Sequence, residues 1–240
     1  MDKNLYSNYT STSMLRGIGI DENRMTELCV EWFNQCIISL LPSDKSSKIL
    51  DIGCGYGRYL LALNNAGYIN SEGIDISTEQ ISYAKNKLKL SNVFEADVMQ
   101  YLEDKKNSYD CIIAFDVLEH FDTNNLMKLV GYIYNSLKPQ GCLIIQVPNA
   151  LAPLSPFAFG DITHKQYFTV HSIEQLLSNY SFSEVKHYEA LPHIHGLFSL
   201  TRRVLWRFMI KPMLSAFILT LYGNRFDNIY TANLITTAIK

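Results

Sequence analysis

The spacing of apolar residues along this chain predicts helices and strands in alternation. Uninterrupted short apolar runs predict buried strands at about 48–52, 71–77, 92–94, 109–115 and 142–147. Apolar residues repeating every three or four positions predict helices at about 25–41, 57–67, 78–90 and 123–137. Strands that alternate with helices favour a doubly wound α/β fold with a mostly parallel sheet.

The last third of the chain follows a different pattern. Prolines and phenylalanines make residues 148–168 an irregular loop, and a short helix is predicted at 172–180. Two further strands are predicted at 184–191 and 229–239, with an apolar, basic helix at 197–222 between them. We expect seven strands, the last antiparallel. Residues 1–44 would form an N-terminal lid or helix, and residues 45–240 one domain with 197–222 as a helical insertion.

A glycine-rich loop joins the first predicted strand to the next helix, in the run Ile-Leu-Asp-Ile-Gly-Cys-Gly-Tyr-Gly-Arg at 49–58. Glycine lacks a Cβ, so the loop can turn tightly and approach a ligand closely. Asp51 makes the loop acidic, which disfavours an anionic pyrophosphate. A ligand with a cationic part suits it better, such as S-adenosylmethionine (SAM) with its ammonium and sulfonium. A dehydrogenase is the alternative that Asp51 argues against.

A second acidic residue, Asp75, ends the strand predicted at 71–77 and follows Gly55 by 20 residues. In nucleotide-binding α/β folds an acid at this position accepts hydrogen bonds from ribose hydroxyls. Because dehydrogenases share the spacing, it indicates an adenosine-type cofactor and no more. The alternative is that Asp75 caps the next turn.

Five segments, at 49–57, 73–77, 95–97, 109–120 and 137–145, resemble in this order the successive motifs of class I SAM-dependent methyltransferases. The resemblance covers about residues 45–190 and implies a Rossmann-like fold. It implies that the cofactor contacts are Asp51, Gly53, Cys54 and Gly55 for the methionine end, Asp75 and Ile76 for the ribose, Asp97 and Val98 for the adenine, and Asp116 beneath the methyl group.

Two histidines are candidates for the base that an alcohol or phenol acceptor requires, because such an acceptor must lose a proton. His120 follows the fourth strand, and His164 lies in the long loop with Asp161 near enough to orient it. We favour His164, with His120 as the alternative. For either residue, a hydrogen-bonding role without catalysis is the competing interpretation.

A closer resemblance concerns Asp-Val-Leu-Glu-His at 116–120, followed by Thr-His-x-x-x-Phe at 163–168. The pair is similar to the O-methyltransferases of ubiquinone biosynthesis and their sugar-modifying relatives. In the quinone enzymes the acid-x-x-Glu-His cluster is associated with a divalent metal, which makes Asp116, Glu119 and His120 candidate ligands for Mg²⁺. Asp stands here where Glu is usual, so no metal is assigned.

The helix predicted at 197–222 carries Arg202, Arg203, Arg207 and Lys211 on one flank, among apolar residues. The uncharged run after Lys211 is too short to span a bilayer. An interfacial membrane helix, a cap over the acceptor pocket and a homodimer face all remain open. The fourth interpretation is ordinary packing with snorkelling arginines.

Composition narrows the expected partners. The 240 residues carry a net charge of −2, so nucleic acid is not expected as a partner. No apolar run follows Met1-Asp2-Lys3-Asn4, and the five cysteines are scattered, which is typical of a cytoplasmic protein. If 197–222 binds lipid, the protein would sit at the inner face of the membrane.

The predicted function is SAM-dependent O-methylation of a small-molecule, lipid-linked or glycan-linked hydroxyl. Relatives suggest a sugar of a bacterial surface polysaccharide. The alternatives are a quinone or phenolic O-methyltransferase and, from another class, a non-catalytic SAM-binding partner protein.

Overall fold

The computed structural model describes residues 22–224 and 228–240, so residues 1–21 of the predicted N-terminal region lie outside it. The strands are β1 (Ile49–Ile52), β2 (Ser71–Asp75), β3 (Val93–Glu95), β4 (Tyr109–Phe115), β5 (Leu137–Pro148), β6 (Ser183–Glu189) and β7 (Asn233–Ile239). The helices are α1 (Glu22–Cys36), α2 (Arg58–Asn65), α3 (Thr78–Asn86), α4 (Val98–Leu102), α5 (Thr123–Ser136), α6 (Pro156–Phe159), α7 (Val170–Leu177), α8 (Leu197–Leu205) and α9 (Lys211–Tyr222).

These strands form one seven-stranded sheet in the order β3-β2-β1-β4-β5-β7-β6. The first five are parallel, and β7 runs antiparallel to both β5 and β6. This confirms the predicted Rossmann-like sheet with an antiparallel last strand. Strand order reverses between β1 and β4, and ligands of open α/β sheets bind at the carboxyl ends of the strands beside such a reversal.

Side chains alternate between the two faces of each strand, so each face has its own core. Leu50 and Ile52 of β1 belong to the core that α5 and α7 cover. Ile49 belongs to the opposite core, which α1, α2 and α3 cover. Asp51 alternates with Leu50 and Ile52, and it is a carboxylate only 1% exposed in a strand that is otherwise apolar.

Most predicted boundaries hold to within a few residues, and the differences have local causes. Helix α7 begins at Val170 rather than 172 because Thr169 caps it in a reciprocal hydrogen-bonded box with Ser172. Strand β7 begins at Asn233 rather than 229. Helix α4 was not predicted, although Asp97 caps it with a side-chain oxygen that accepts from two backbone N–H groups.

The predicted helix at 197–222 is continuous but irregular. Helices α8 and α9 are joined by a π-helical turn at Trp206–Ile210, where the Lys211 N–H donates to the Trp206 carbonyl five residues earlier. Pro212 follows at the start of α9 and has no N–H to give. A π-turn before a proline accommodates this missing donor without ending the helix.

Candidate active site

A cavity of about 640 Å³ opens at the carboxyl ends of β1, β2 and β4. The predicted site residues on its wall come from the glycine loop, the ends of β2, β3 and β4, and the long loop after β5. They are Gly53, Cys54, Gly55, Asp75, Ile76, Asp97, Val98, Asp116, Glu119, His120, Asp161 and His164. Asp51 is the predicted site residue that is not on the wall.

The glycine loop needs glycine for two separate reasons. Gly53 and Gly55 have φ of +69° and +54°, a left-handed conformation that other residues adopt at a cost. A Cβ would overlap the Val117 side chain at Gly53 and would lie 2.8 Å from Gln80 Oε1 at Gly55. The Cys54 N–H donates to the Ile74 carbonyl at 2.9 Å, so the loop is held against β2.

The Asp75 carboxylate also holds the glycine loop in place, through hydrogen bonds from the backbone. Its Oδ2 accepts from the Gly55 N–H at 2.9 Å and its Oδ1 accepts from the Ser77 N–H at 2.8 Å. Burial raises the pKa of Asp75, and these backbone hydrogen bonds oppose the rise. Each oxygen has a second lone pair, which leaves capacity for the ribose hydroxyls that the sequence predicts here. Asp75 therefore both shapes the loop and faces the cavity.

Asp51 is a buried acid beside the glycine loop, where an ionised carboxylate is costly. Its Oδ2 is buried and has no hydrogen-bond partner in the part of the chain that the structure describes, and burial together with the Asp75 charge raises its pKa to about 8. A buried unpartnered carboxylate oxygen is costly, and a nearby cation reduces that cost. The residues therefore fit SAM, whose ammonium and sulfonium would enter a cavity edged by Gly53 and Gly55 and bordered by Asp75.

The predicted adenine contacts lie beside helix α4. Asp97 Oδ1 accepts from the Met99 N–H at 2.9 Å and the Gln100 N–H at 3.3 Å, and both Asp97 and Val98 line the cavity. This carboxylate thus caps the helix, which holds its position on the wall. Contact with adenine stays a prediction.

Asp116 is held in an unusual conformation at the end of β4. Its φ is +55°, and Gln146 Nε2 donates to both of its carboxylate oxygens, at 3.2 and 3.0 Å. Asp116 lines the cavity, and desolvation by the surrounding protein raises its pKa to about 6 against the opposing effect of the Gln146 hydrogen bond. We did not predict Gln146, although a polar residue within the apolar run 142–147 was a signal.

A buried cluster of Glu119, His120 and His164 forms the far side of the cavity. Glu119 is 1% exposed, and its two carboxylate oxygens have no hydrogen-bond partner among the described residues. Burial, then the Asp116 charge, raises its pKa well above the usual range. His164 Nε2 lies 3.9 Å from Glu119 Oε1, and the two imidazole rings are 4.9 Å apart.

The two histidines have different hydrogen-bond partners. His164 Nδ1 lies 3.0 Å from the Ala158 carbonyl, which can only accept, so Nδ1 carries the proton and Nε2 is the basic nitrogen. We expected Asp161 to orient His164. The Asp161 Oδ1 accepts from the Thr163 hydroxyl at 2.6 Å, and that hydroxyl lies 3.0 Å from His120 Nδ1. Orientation of His164 by Asp161 stays a prediction.

His120 is accordingly a neutral residue at ordinary pH. Burial, then the neighbouring His164, lowers its pKa to about 4. A group that accepts a proton this weakly is a poor general base near neutral pH. The geometry therefore favours His164 over His120.

Among the described residues, Asp116 does not join the other two candidate magnesium ligands, Glu119 and His120, in one cluster. The donor atoms that lie within 4.8 Å of one another belong to Glu119, His120 and His164, while the Asp116 carboxylate is bonded to Gln146. Mg²⁺ prefers an octahedron of oxygen ligands, and two imidazoles with one carboxylate do not offer it. This site does not fit Mg²⁺.

Two parts of the cavity wall were not predicted from the sequence. Helix α1 contributes Leu28, Cys29 and Trp32, whose spacing we interpreted only as core packing. The connection between β6 and α8 contributes the apolar residues at 190–192. No local signal marks either segment as part of a ligand site.

Comparison with known proteins agrees with this geometry. A family model described as a methyltransferase domain matches residues 22–187. The crystal structure of a SAM-dependent methyltransferase from Archaeoglobus fulgidus superposes with a TM-score of 0.66 at 22% identity, covering 90% of this chain and 94% of that one. At this identity the likeness shows the fold.

Two relatives differ in what they are named for. The phosphoethanolamine N-methyltransferase of Plasmodium falciparum is 32% identical over 111 residues, 45% of this chain and 42% of that protein. The ubiquinone biosynthesis O-methyltransferase of Rickettsia prowazekii is 30% identical over 132 residues, 53% of this chain and 50% of that protein. The chain spans about half the length of these curated relatives. With the family match, the sheet order and the acidic glycine loop together, the chain belongs to the class I SAM-dependent methyltransferase family.

Proposed function

We propose that this chain is an O-methyltransferase in which His164 removes the proton of the acceptor hydroxyl. The observation that supports this most directly is the tautomer of His164. Its Nδ1 proton is held by the Ala158 carbonyl, and its basic Nε2 lies on the cavity wall beside Glu119. An alcohol must lose its proton to become a good nucleophile, and an oriented imidazole is suited to take it.

The surrounding acids would stabilise the charge that this step creates. When Nε2 takes the proton, the new imidazolium lies near the Asp116 carboxylate, which already interacts with His164. It also lies 3.9 Å from Glu119 Oε1, and its positive charge would lower the raised pKa of Glu119 and favour the ionised form. Ion pairs in a buried site act at low effective dielectric. When bound, SAM would supply an electrophilic methyl group and leave as S-adenosylhomocysteine.

The cavity wall supports an acceptor with an apolar body. The wall includes the apolar side chains of Leu28, Trp32, Phe115, Pro148, Phe157, Leu191 and Pro192. Among the described residues, Arg58 is the one Lys or Arg on the wall, and its Nε is bonded to Thr26 Oγ1 at 3.3 Å. A free phosphate ester therefore suits this cavity less well than a lipid-linked, glycan-linked or phenolic hydroxyl.

Labelled SAM incubated with the purified chain and a lipid extract of the source organism should yield a labelled ether. Mass spectrometry of the product separates a sugar ether from a quinone or phenol ether. A labelled amine would instead contradict O-methylation. Labelling of no acceptor by a chain that binds SAM would favour the non-catalytic alternative.

The role of His164 is tested by His164→Ala against His171→Ala, which removes an exposed histidine of α7. Loss of a general base should lower the turnover rate by about 10²–10⁴-fold, with the affinity for SAM little changed. The His171 variant should keep the wild-type rate. Similar rates for both variants would exclude His164 as the base.

A further inference from the structure

The exposed apolar surface of this protein is concentrated in one helix. Among the described residues, 20 large apolar side chains are exposed, and 13 of them lie between Leu197 and Tyr222. Phe198 and Phe208 are 78% and 69% exposed. Five more lie between Leu154 and Tyr167 in the loop after β5, so the rest of the described surface carries only two. Exposed apolar area on this scale marks an interaction surface.

Only a narrow stripe of this helix contacts the domain. Its buried residues are the small Ser199 and Ser215, and Trp206 is half-buried between them. Lys211 Nζ forms an ion pair with Glu189 Oε1 of β6 at 3.2 Å, which anchors the helix to the end of the sheet. Ordinary packing, the fourth interpretation given for this helix, explains the buried stripe. The rest of the helix surface is not covered by the described residues.

The charge on the helix has one sign. Arg202, Arg203, Arg207 and Lys211 lie within ten residues, and no Asp or Glu occurs between positions 190 and 224. Arg202 and Arg207 are exposed. A basic flank beside an apolar face complements a surface that offers anionic headgroups above hydrocarbon.

A second copy of the chain fits this surface less well. A two-fold interface brings the same patch of each subunit together, so the basic flank would meet its own copy. Juxtaposed like charges oppose association. An anionic lipid surface has no such conflict.

The topology prevents the helix from crossing the membrane. Helix 197–222 is long and apolar enough to span a bilayer by length and composition. However, Glu189 at the end of β6 pairs with Leu234 of β7, so the chain leaves the sheet and returns to it at one place. A spanning helix would require the chain to recross the hydrocarbon within residues 223–232. The described residues of this segment, 223–224 and 228–232, are not helical, so their peptide groups would be unsatisfied there.

We propose that residues 197–222 lie in the plane of an anionic membrane surface and dock the enzyme there. Ala190, Leu191 and Pro192 line the cavity and lead within a few residues into this helix. Docking would therefore hold the cavity next to the headgroups. On the proposed function, this favours a lipid-linked acceptor over a freely soluble one.

Flotation with phosphatidylcholine vesicles, with and without phosphatidylglycerol, tests the docking. Wild type should float with the anionic vesicles and should be released in about 1 M salt, where the Debye length falls to about 3 Å. Arg202→Gln/Arg207→Gln should bind about 30-fold more weakly, at about 1 kcal/mol for each basic residue. Phe198→Ser/Phe208→Ser should lose flotation with the anionic vesicles.

The matched control is Lys85→Gln/Lys87→Gln, which removes the same charge from an exposed part of the chain at the end of α3. It should float like wild type, and all variants should keep wild-type affinity for SAM. Equal flotation by the arginine and lysine variants would overturn the proposal. So would failure of the folded wild type to bind anionic vesicles, or a stable dimer that the phenylalanine variant dissociates. Flotation can fail while methyl transfer persists, so the two proposals are tested separately.

Discussion

Replacing Asp51 by Asn should stabilise the protein and abolish its cofactor binding. The folded chain keeps a proton on Asp51 up to a pKa of about 8, whereas this carboxyl ionises near 3.8 in an unfolded chain. Between these values the unfolded state binds fewer protons than the folded state. The free energy of unfolding therefore falls as the pH rises through this window.

The size of the effect follows from the width of the window. Each pH unit within it corresponds to about 1.4 kcal/mol, so a rise of about two units, from pH 5 to pH 7, lowers the wild-type free energy of unfolding by about 2–3 kcal/mol through Asp51. The amide of the Asp51→Asn variant does not titrate, so the stability advantage of this variant over wild type should widen by that amount. Other titrating groups are common to both chains and cancel in the difference.

Urea titrations of both chains at pH 5 and pH 7, with and without SAM, measure this difference in the free energy of unfolding. SAM should raise the stability of wild type and leave that of Asp51→Asn unchanged, because the neutral amide no longer attracts a cation. An advantage that is the same at both pH values would refute the reasoning, as would SAM binding by the variant. Asp110→Asn is the control of opposite sign. Hydrogen bonds from Lys138 and the Lys48 N–H keep the Asp110 pKa low against partial burial, so its loss should destabilise.

Three further outcomes are expected. Gly53→Ala should lower the free energy of unfolding by about 1–2 kcal/mol because of its left-handed backbone, and by about 1–3 kcal/mol more because of the overlap with Val117. Gly67 also has a positive φ, +89°, but a Cβ there would meet open space, so Gly67→Ala should show the backbone cost alone in the same denaturation assay. Gln146→Leu removes the donor to Asp116, so the free energy of unfolding at neutral pH should fall by about 1–3 kcal/mol, and a fall below about 0.5 kcal/mol would show that this hydrogen bond is unimportant. Turnover should persist in EDTA, because the buried cluster does not fit Mg²⁺, and a rate that collapses and returns with added Mg²⁺ would contradict this.

Elements that are determined by residues close together in the chain could be predicted from the sequence. The glycine loop is specified by residues adjacent along the chain, and the helix at 123–136 begins at Asp122, whose side chain accepts from the Asn125 N–H. Gly55 and Asp75 lie close together because β1 and β2 are parallel neighbours and end at the same edge of the sheet. Apolar periodicity likewise placed the helix at 197–222.

Contacts between distant segments were decided only by tertiary packing. The Thr163–His120 and Gln146–Asp116 contacts join residues 43 and 30 positions apart, and nothing local in the sequence pairs them. Burial also separates residues that look alike in sequence: Asp51 and Asp75 are both acids ending a strand, yet only Asp75 reaches the cavity. The apolar spacing of 197–222 would be the same whether the helix packed against the domain or stayed exposed, so the sequence could not distinguish the two cases. Strands β6 and β7 pair where the chain leaves the sheet and returns to it, so both ends of the helix are held at one edge of the sheet. The apolar face of the helix is left uncovered by the described residues.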